Sequence, residues 1–160
     1  MIDCIFCRIT RGEIPASHVY SDDLITAFMD IQPVNPGHLL VIPNTHASSL
    51  ADLDPELGSH MFEVAMRLAS GLKGSTTVQC EGVNLYLADG KAAGQEVFHI
   101  HLHVIPRFSG DNRGVLFASR SSGNSDQKER LDQIAASIRT SLLHNVSSGD
   151  EQTEPVIHDE

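Results

Sequence analysis

The sequence predicts an α+β domain, an antiparallel sheet of about five strands with one central and one C-terminal helix. Three observations carry this expectation. Five short apolar or alternating runs, at 17–20, 24–30, 38–42, 83–87 and 99–105, are separated by turn residues. Two longer stretches, 55–74 and 126–143, repeat apolar residues at helical spacing. The strands cluster around the first helix and the second helix follows them all, so the pattern is not an alternating βαβ series.

In chain order, 17–30 reads as a β-hairpin with Ser21-Asp22-Asp23 as its turn and Leu24 to Asp30 as its second strand. Pro33, Pro36 and Gly37 mark a loop. His38-Leu39-Leu40-Val41-Ile42 reads as a buried strand stopped by Pro43. Asp54 is an N-cap with Pro55 at the first helical position. Leu57, Met61, Val64, Ala65, Leu68 and Leu72 then form one apolar helix face, which reads as core, and Gly74 ends the helix. Val83 to Leu87 is a strand, followed by a loop with Gly90 and Gly94. Residues 109–125 are Ser/Gly-rich and read as a linker; 126–143 is the second helix, with Leu131, Ile134, Ile138 and Leu142 on one face. Residues 1–145 thus form one domain, and 146–160 an acidic, disordered tail.

The chemistry concentrates at His99-Ile100-His101-Leu102-His103. On a strand, alternate side chains share a face, so Ile100, Leu102 and Val104 turn to a core and the three histidines to the other side. On a helix, His101 would stand opposite the other two. Same-face neighbours lie about 6.6 Å apart and the outer pair about 13 Å, so adjacent histidines can share a metal but all three cannot without a bend. Different jobs follow, and one is nucleophile: an imidazole whose first nitrogen donates to a fixed carbonyl offers the lone pair of the second. The glycine loop just upstream brings backbone N–H groups close to an anion.

The chain has 160 residues, 41% of them hydrophobic, and a net charge of −10. Half of that charge sits on the tail, leaving the body at −5. An acidic body argues against a nucleic-acid surface and leaves room for a small nucleotide in a pocket. No apolar run of about 18 residues and no basic, then apolar, N-terminal leader is present, so no membrane partner and a reducing cytoplasm are expected. Of three cysteines, Cys4 and Cys7 make half a zinc site or a redox pair; zinc is preferred because no strand precedes Cys4, and His46 and His99 are candidates to complete the site. Cys80 reads as a buried or loop thiol.

The run Gly94-Gln95-Glu96-Val97-Phe98-His99-Ile100-His101-Leu102-His103-Val104-Ile105 resembles the signature of the histidine-triad (HIT) superfamily. Cys4-Ile5-Phe6-Cys7, Gly12-Glu13-Ile14-Pro15-Ala16, Ala27-Phe28-Met29-Asp30-Ile31 and Gly37-His38-Leu39-Leu40-Val41-Ile42-Pro43 extend the likeness over residues 4–107, to the Hint-like bacterial branch. The resemblance implies a homodimer with one continuous sheet, and cleavage at the α-phosphorus of purine nucleotide conjugates, adenosine 5′-phosphoramidates being typical. It implies that His101 is the nucleophile, forming a nucleotidyl-histidine that water resolves, with His103, His38 and Gln95 completing the catalytic set. Asp30 matches the acid that holds the ribose hydroxyls, and Phe6, Ile14, Phe28 and Ile31 match the base pocket. Gly94, Gln95 and Glu96 match the phosphate-facing loop, with Asp89 nearby on the nucleotide side. Structural zinc is implied on Cys4, Cys7, His46 and His99, and no catalytic metal is expected.

Two positions depart from the family pattern. Glu96 stands where Ser or Thr is common, and Ala88 where an Asn is common; both bear on rate and leaving group. The Glu96 backbone N–H is expected to meet the phosphate while its side chain turns outward, since an inward anion would repel substrate. By spacing alone Asp30 reads equally as a turn acid, and Phe28 as ordinary core. The competing readings are a dinucleoside polyphosphate hydrolase of the same family, a metal-dependent hydrolase using His101 and His103 with Asp30, and a non-catalytic nucleotide sensor.

Overall fold

The computed structural model describes residues 4–113. The helix expected over 126–143, most of the Ser/Gly-rich segment, the domain boundary at 145 and the acidic tail lie outside the described residues. Inside them, the elements are α1 (Ile5–Thr10), β1 (His18–Ser21), β2 (Ile25–Met29), β3 (Leu39–Pro43), α2 (Pro55–Gly74), β4 (Gly82–Leu87) and β5 (Leu102–Arg107), with single 3-10 turns at Leu50–Asp52 and Lys91–Ala93. The five strands form one antiparallel sheet in the order β1-β2-β3-β5-β4. Among the described residues, no helix is long and apolar enough to cross a membrane.

Side-chain alternation divides the sheet into two faces. Ile25, Ala27, Leu39, Val41, Leu102 and Val104 pack with Ile100 against Met61, Val64, Ala65 and Leu72 of α2. Phe28, Leu40 and Ile42 point the other way, against Cys4, Phe6, Cys7 and Ile9 around α1. Both faces of β3 are therefore covered, which is why its sequence is uniformly apolar instead of alternating. The helix α2 begins as expected: the Asp54 carboxylate accepts from the N–H groups of Glu56 and Leu57 at 2.9 and 3.2 Å, with Pro55 next in line.

Two differences from the sequence reading have clear causes. The helix α1 was not expected, because six residues are too short to show a 3.6 period and no side chain caps its start at Cys4. The regular strand carrying the histidines begins only at Leu102. Upstream, Ile100 donates its N–H to the carbonyl of Ala47 at 2.7 Å, outside the sheet ladder. The side chains still alternate through this stretch, so the split between apolar core and histidine face holds.

A polar clamp joins the first hairpin to α2. Asp22 accepts from the N–H groups of Leu24 and Ile25 at 2.8 and 2.7 Å, from the Tyr20 hydroxyl at 2.6 Å and from His60 Nε2 at 2.7 Å. The hydrogen bond to Asp22 raises the pKa of His60 above its ordinary value. A raised histidine pKa contributes stability that is present below about 6.5 and is lost as pH rises through the folded value. His60→Ala is therefore expected to lower the melting temperature more at pH 6 than at pH 9. Thermal unfolding of both proteins at the two pH values measures the difference, and equal losses would contradict the clamp.

Candidate active site and metal centre

A cleft of about 920 Å³ opens on the α1 face of the sheet. Its floor follows a single row of paired residues. Phe28 of β2 faces Leu40 of β3, Leu40 faces His103 of β5, and His103 faces Tyr86 of β4. Phe6 closes the row from α1, edge-on to Phe28 at 5.7 Å and to His101 at 5.3 Å between ring centres. Ile14, Asp30, Ile31, Gly94 and Glu96 also line the cleft, along with His38.

The histidine ring nitrogens can be assigned roles from their partners. His101 Nδ1 lies 2.7 Å from the carbonyl oxygen of His99. A carbonyl only accepts, so Nδ1 carries the proton and Nε2 holds a lone pair. His38 Nδ1 accepts the Val34 backbone N–H at 3.1 Å, which makes its Nε2 the donor to His103 Nδ1 at 2.9 Å. His103 Nε2 then carries the N–H. The Asp30 carboxylate stands 3.4 Å from the same His38 nitrogen. The backbone amide takes that lone pair, because its contact is shorter and burial pushes the His38 pKa down in spite of Asp30. Burial, reinforced by His101 and His38, pushes His103 down to about 4. The His38–His103 pair is thus neutral near pH 7 and offers a hydrogen bond, not a fixed charge.

Asp30 has two functions open to it. Its Oδ1 accepts the Gln32 N–H at 2.8 Å, which is the turn role that spacing alone suggested. Its other oxygen borders the cleft beside His38. Asp30, His38 and His103 also form a possible metal-ligand group, with donor atoms within 4.8 Å of one another. This set contains His38 in place of the His101 of the expected metal-hydrolase grouping.

Two expected contacts are placed elsewhere. Gln95 is buried, and its amide is spent inside the loop: Oε1 accepts from Gly90 N at 2.7 Å, and Nε2 donates to the carbonyls of Ser48 and Val97 at 2.9 and 3.1 Å. It does not line the cleft; it fixes the loop that does. Asp89 also stands outside the lining, accepting the Leu50 N–H at 3.3 Å. Gly94, at φ 89°, takes the left-handed turn that brings Glu96 to the cleft rim. Glu96 is exposed, as expected, and its backbone N–H finds no acceptor among the described residues. Sequence reasoning missed Tyr86, which donates to the Ala93 carbonyl at 3.0 Å and lies 5.7 Å from the His103 ring. Only its strand register could have placed it there.

Beyond His101, the cysteine and histidine side chains meet. Cys7 Sγ lies 3.3 Å from His46 Nδ1 and 3.5 Å from His99 Nδ1, Cys4 Sγ is 3.5 Å from His99 Nδ1, and the two ring nitrogens are 3.3 Å apart. Tetrahedral zinc, at about 2.3 Å from sulfur and 2.0 Å from nitrogen, separates its donors by roughly 3.3–3.8 Å. His99 Nε2 donates to the Pro43 carbonyl at 2.8 Å, which turns the lone pair of Nδ1 into the cluster. Burial lowers the His99 pKa, keeping the ring neutral, and burial beside Cys4 raises that of Cys7. A cation between the four donors relieves both the facing lone pairs and the buried thiols. The four residues fit a zinc site.

The HIT domain family model matches residues 11–110. The chain belongs to the HIT family. A HIT family protein from Bacillus anthracis is 40% identical, with a TM-score of 0.77 over 88% of this chain and 97% of that one. A zinc-bound histidine triad family protein from Mycobacterium smegmatis is 38% identical, with a TM-score of 0.67 over 88% and 98%. A histidine triad nucleotide-binding protein from Candida albicans is 29% identical, with a TM-score of 0.76 over 89% and 99%. This HIT chain therefore shares with its relatives the sheet and helix described above.

The four-donor geometry predicts one zinc per chain by metal analysis of the purified protein. Cys7→Ser should lose most of it and unfold at least about 10 °C lower, since binding of structural zinc is coupled to folding. Full zinc content with Cys7→Ser, or none in the unaltered protein, would contradict the assignment.

Proposed function

We propose that this HIT protein is a nucleotide hydrolase that cleaves at the α-phosphorus of purine nucleotide conjugates, adenosine 5′-phosphoramidates among them, through a nucleotidyl-histidine on His101. The observation that carries the reading is the bond from His101 Nδ1 to the His99 carbonyl, which leaves Nε2 as a lone pair beside His103. The description of the Candida albicans relative as nucleotide-binding supports a nucleotide in this cleft.

In this reading the base lies among Phe6, Ile14, Phe28 and Ile31, and Asp30 accepts from the ribose hydroxyls. His101 Nε2 bonds to the α-phosphorus as the bond to the leaving nitrogen breaks. His103 Nε2–H hydrogen-bonds the phosphoryl or leaving atom, and an anionic phosphate beside it raises its proton affinity. The His38–His103 pair then passes a proton to the departing amine. Water attacks the phosphorus, returns that proton to the pair, and releases the nucleoside 5′-monophosphate with His101 restored. Gly94 and Glu96 supply backbone around the phosphate, and Gln95 positions their loop. Cys4, Cys7, His46 and His99 would hold zinc, which supplies a structural tie and takes no part in the steps.

Assembly into a homodimer forms part of the proposal. Among the described residues, the strand β4 is at the sheet edge, and its outer ladder is where a second copy would pair. Phe62 and Met66 of α2 are about half exposed and provide apolar area for the same partner.

His101→Ala should lower kcat by about 10⁴-fold while nucleotide affinity stays within about tenfold, read by turnover and calorimetry on protein sized by sedimentation. Comparable turnover by the variant would remove His101 from the chemistry. The unaltered protein should prefer ribonucleotides over 2′,3′-dideoxy analogues by roughly tenfold or more, because Asp30 would otherwise face the cleft unpaired. Asp30→Ala should erase most of that preference, and equal affinities in the unaltered protein would leave Asp30 as a turn acid only.

A further inference from the structure

The row Phe28–Leu40–His103–Tyr86 gives the cleft a direction. Paired strands are about 4.8 Å apart, so the row spans about 14 Å from β2 to β4. With the base at the Phe28 end and the phosphorus at His101 and His103, the leaving group extends toward β4 and its loop. Tyr86 marks that end, and its hydroxyl comes within 3.9 Å of where a side chain on Gly94 would begin. Two residues on, Glu96 stands at the rim.

The charge at this end is unusual for a phosphate site. Among the described residues lining the cleft there is no Lys or Arg; the charged groups are Asp30 and Glu96. Glu96 has no ion-pair partner among the described residues. Lys91, on the same loop, is exposed and lies outside the lining. Glu96 would repel an anionic leaving group, such as a polyphosphate tail, and no described residue lining the cleft supplies a Lys or Arg to neutralise it. A leaving group bearing a positive charge would be attracted.

We propose that Glu96 selects nucleoside phosphoramidates whose leaving amine carries a second, cationic group. The proposal rests on the phosphoramidate reading above and adds the charge of the leaving group to it. Glu96 acts on the distal end of the amine and leaves the reacting atoms to the histidines. Because its carboxylate is exposed, the preference is modest and falls as salt is added.

The test uses three adenosine 5′-phosphoramidates with leaving amines of similar length: 1,3-diaminopropane with its free end protonated, neutral butylamine, and the anionic amino acid β-alanine. The ratio of kcat/KM between substrates is taken within each protein, so any general effect of substitution cancels. The unaltered protein should favour the cationic amidate over the neutral one by about two- to fivefold at low salt, and less at high salt. Glu96→Gln should bring this ratio near one, and Glu96→Lys should favour the anionic amidate. Turnover of the neutral amidate with no cationic preference, or a preference that Glu96→Gln retains, overturns the role of Glu96 alone. Failure to turn over any of the three amidates overturns the phosphoramidate reading, and this inference with it.

Discussion

One residue, His99, holds the two halves of the site together. Its ring nitrogens reach the Pro43 carbonyl and the Cys4, Cys7 and His46 donors, and its own carbonyl accepts from His101. The ring is fully buried, so it has little freedom to turn. Any shift of the Cys4, Cys7, His46 and His99 cluster would move the carbonyl that orients His101. The four-donor cluster is thus linked to the proposed nucleophile, His101, through one backbone group.

The sheet acts as a ruler for the rest. Its register sets Phe28, Leu40, His103 and Tyr86 in a line, and the strand order keeps β5 between β3 and β4. With α2 packed on the opposite face, the histidine face is covered, among the described residues, by the short α1 together with Ile14, Ala16 and Val97. His38 and His103 on that face are buried enough for their pKa values to fall, yet still border a cleft. Burial and backbone partners together set their proton positions: the Val34 amide fixes His38, His38 fixes His103, and the His99 carbonyl fixes His101.

Much of this architecture could be read from local pattern. The hairpin turn at Asp22, the cap at Asp54 and the apolar face of α2 depend on neighbours within a few residues, and each stands where the pattern put it, to within a residue. The register-dependent parts could not be read that way. Tyr86 is an ordinary strand tyrosine until β4 is laid beside β5. Gln95, within a phosphate-loop motif, looks like a cleft residue until Ser48, far away in the chain, claims its amide.

The sequence by itself determined the class of fold, the division of residues 99–104 into a core face and a histidine face, and the pairing of Cys4 with Cys7. These follow from periodicity and spacing, which are local properties of a chain. Only the tertiary structure decided which nitrogens of His38 and His103 face each other, how the candidates His46 and His99 meet the two cysteines, and which residues form the row across the cleft. The His38–His103 bond, the donor set and the strand register join residues distant in the chain, whereas the His101 bond to the His99 carbonyl spans only two residues. The distant contacts exist only once the core has closed.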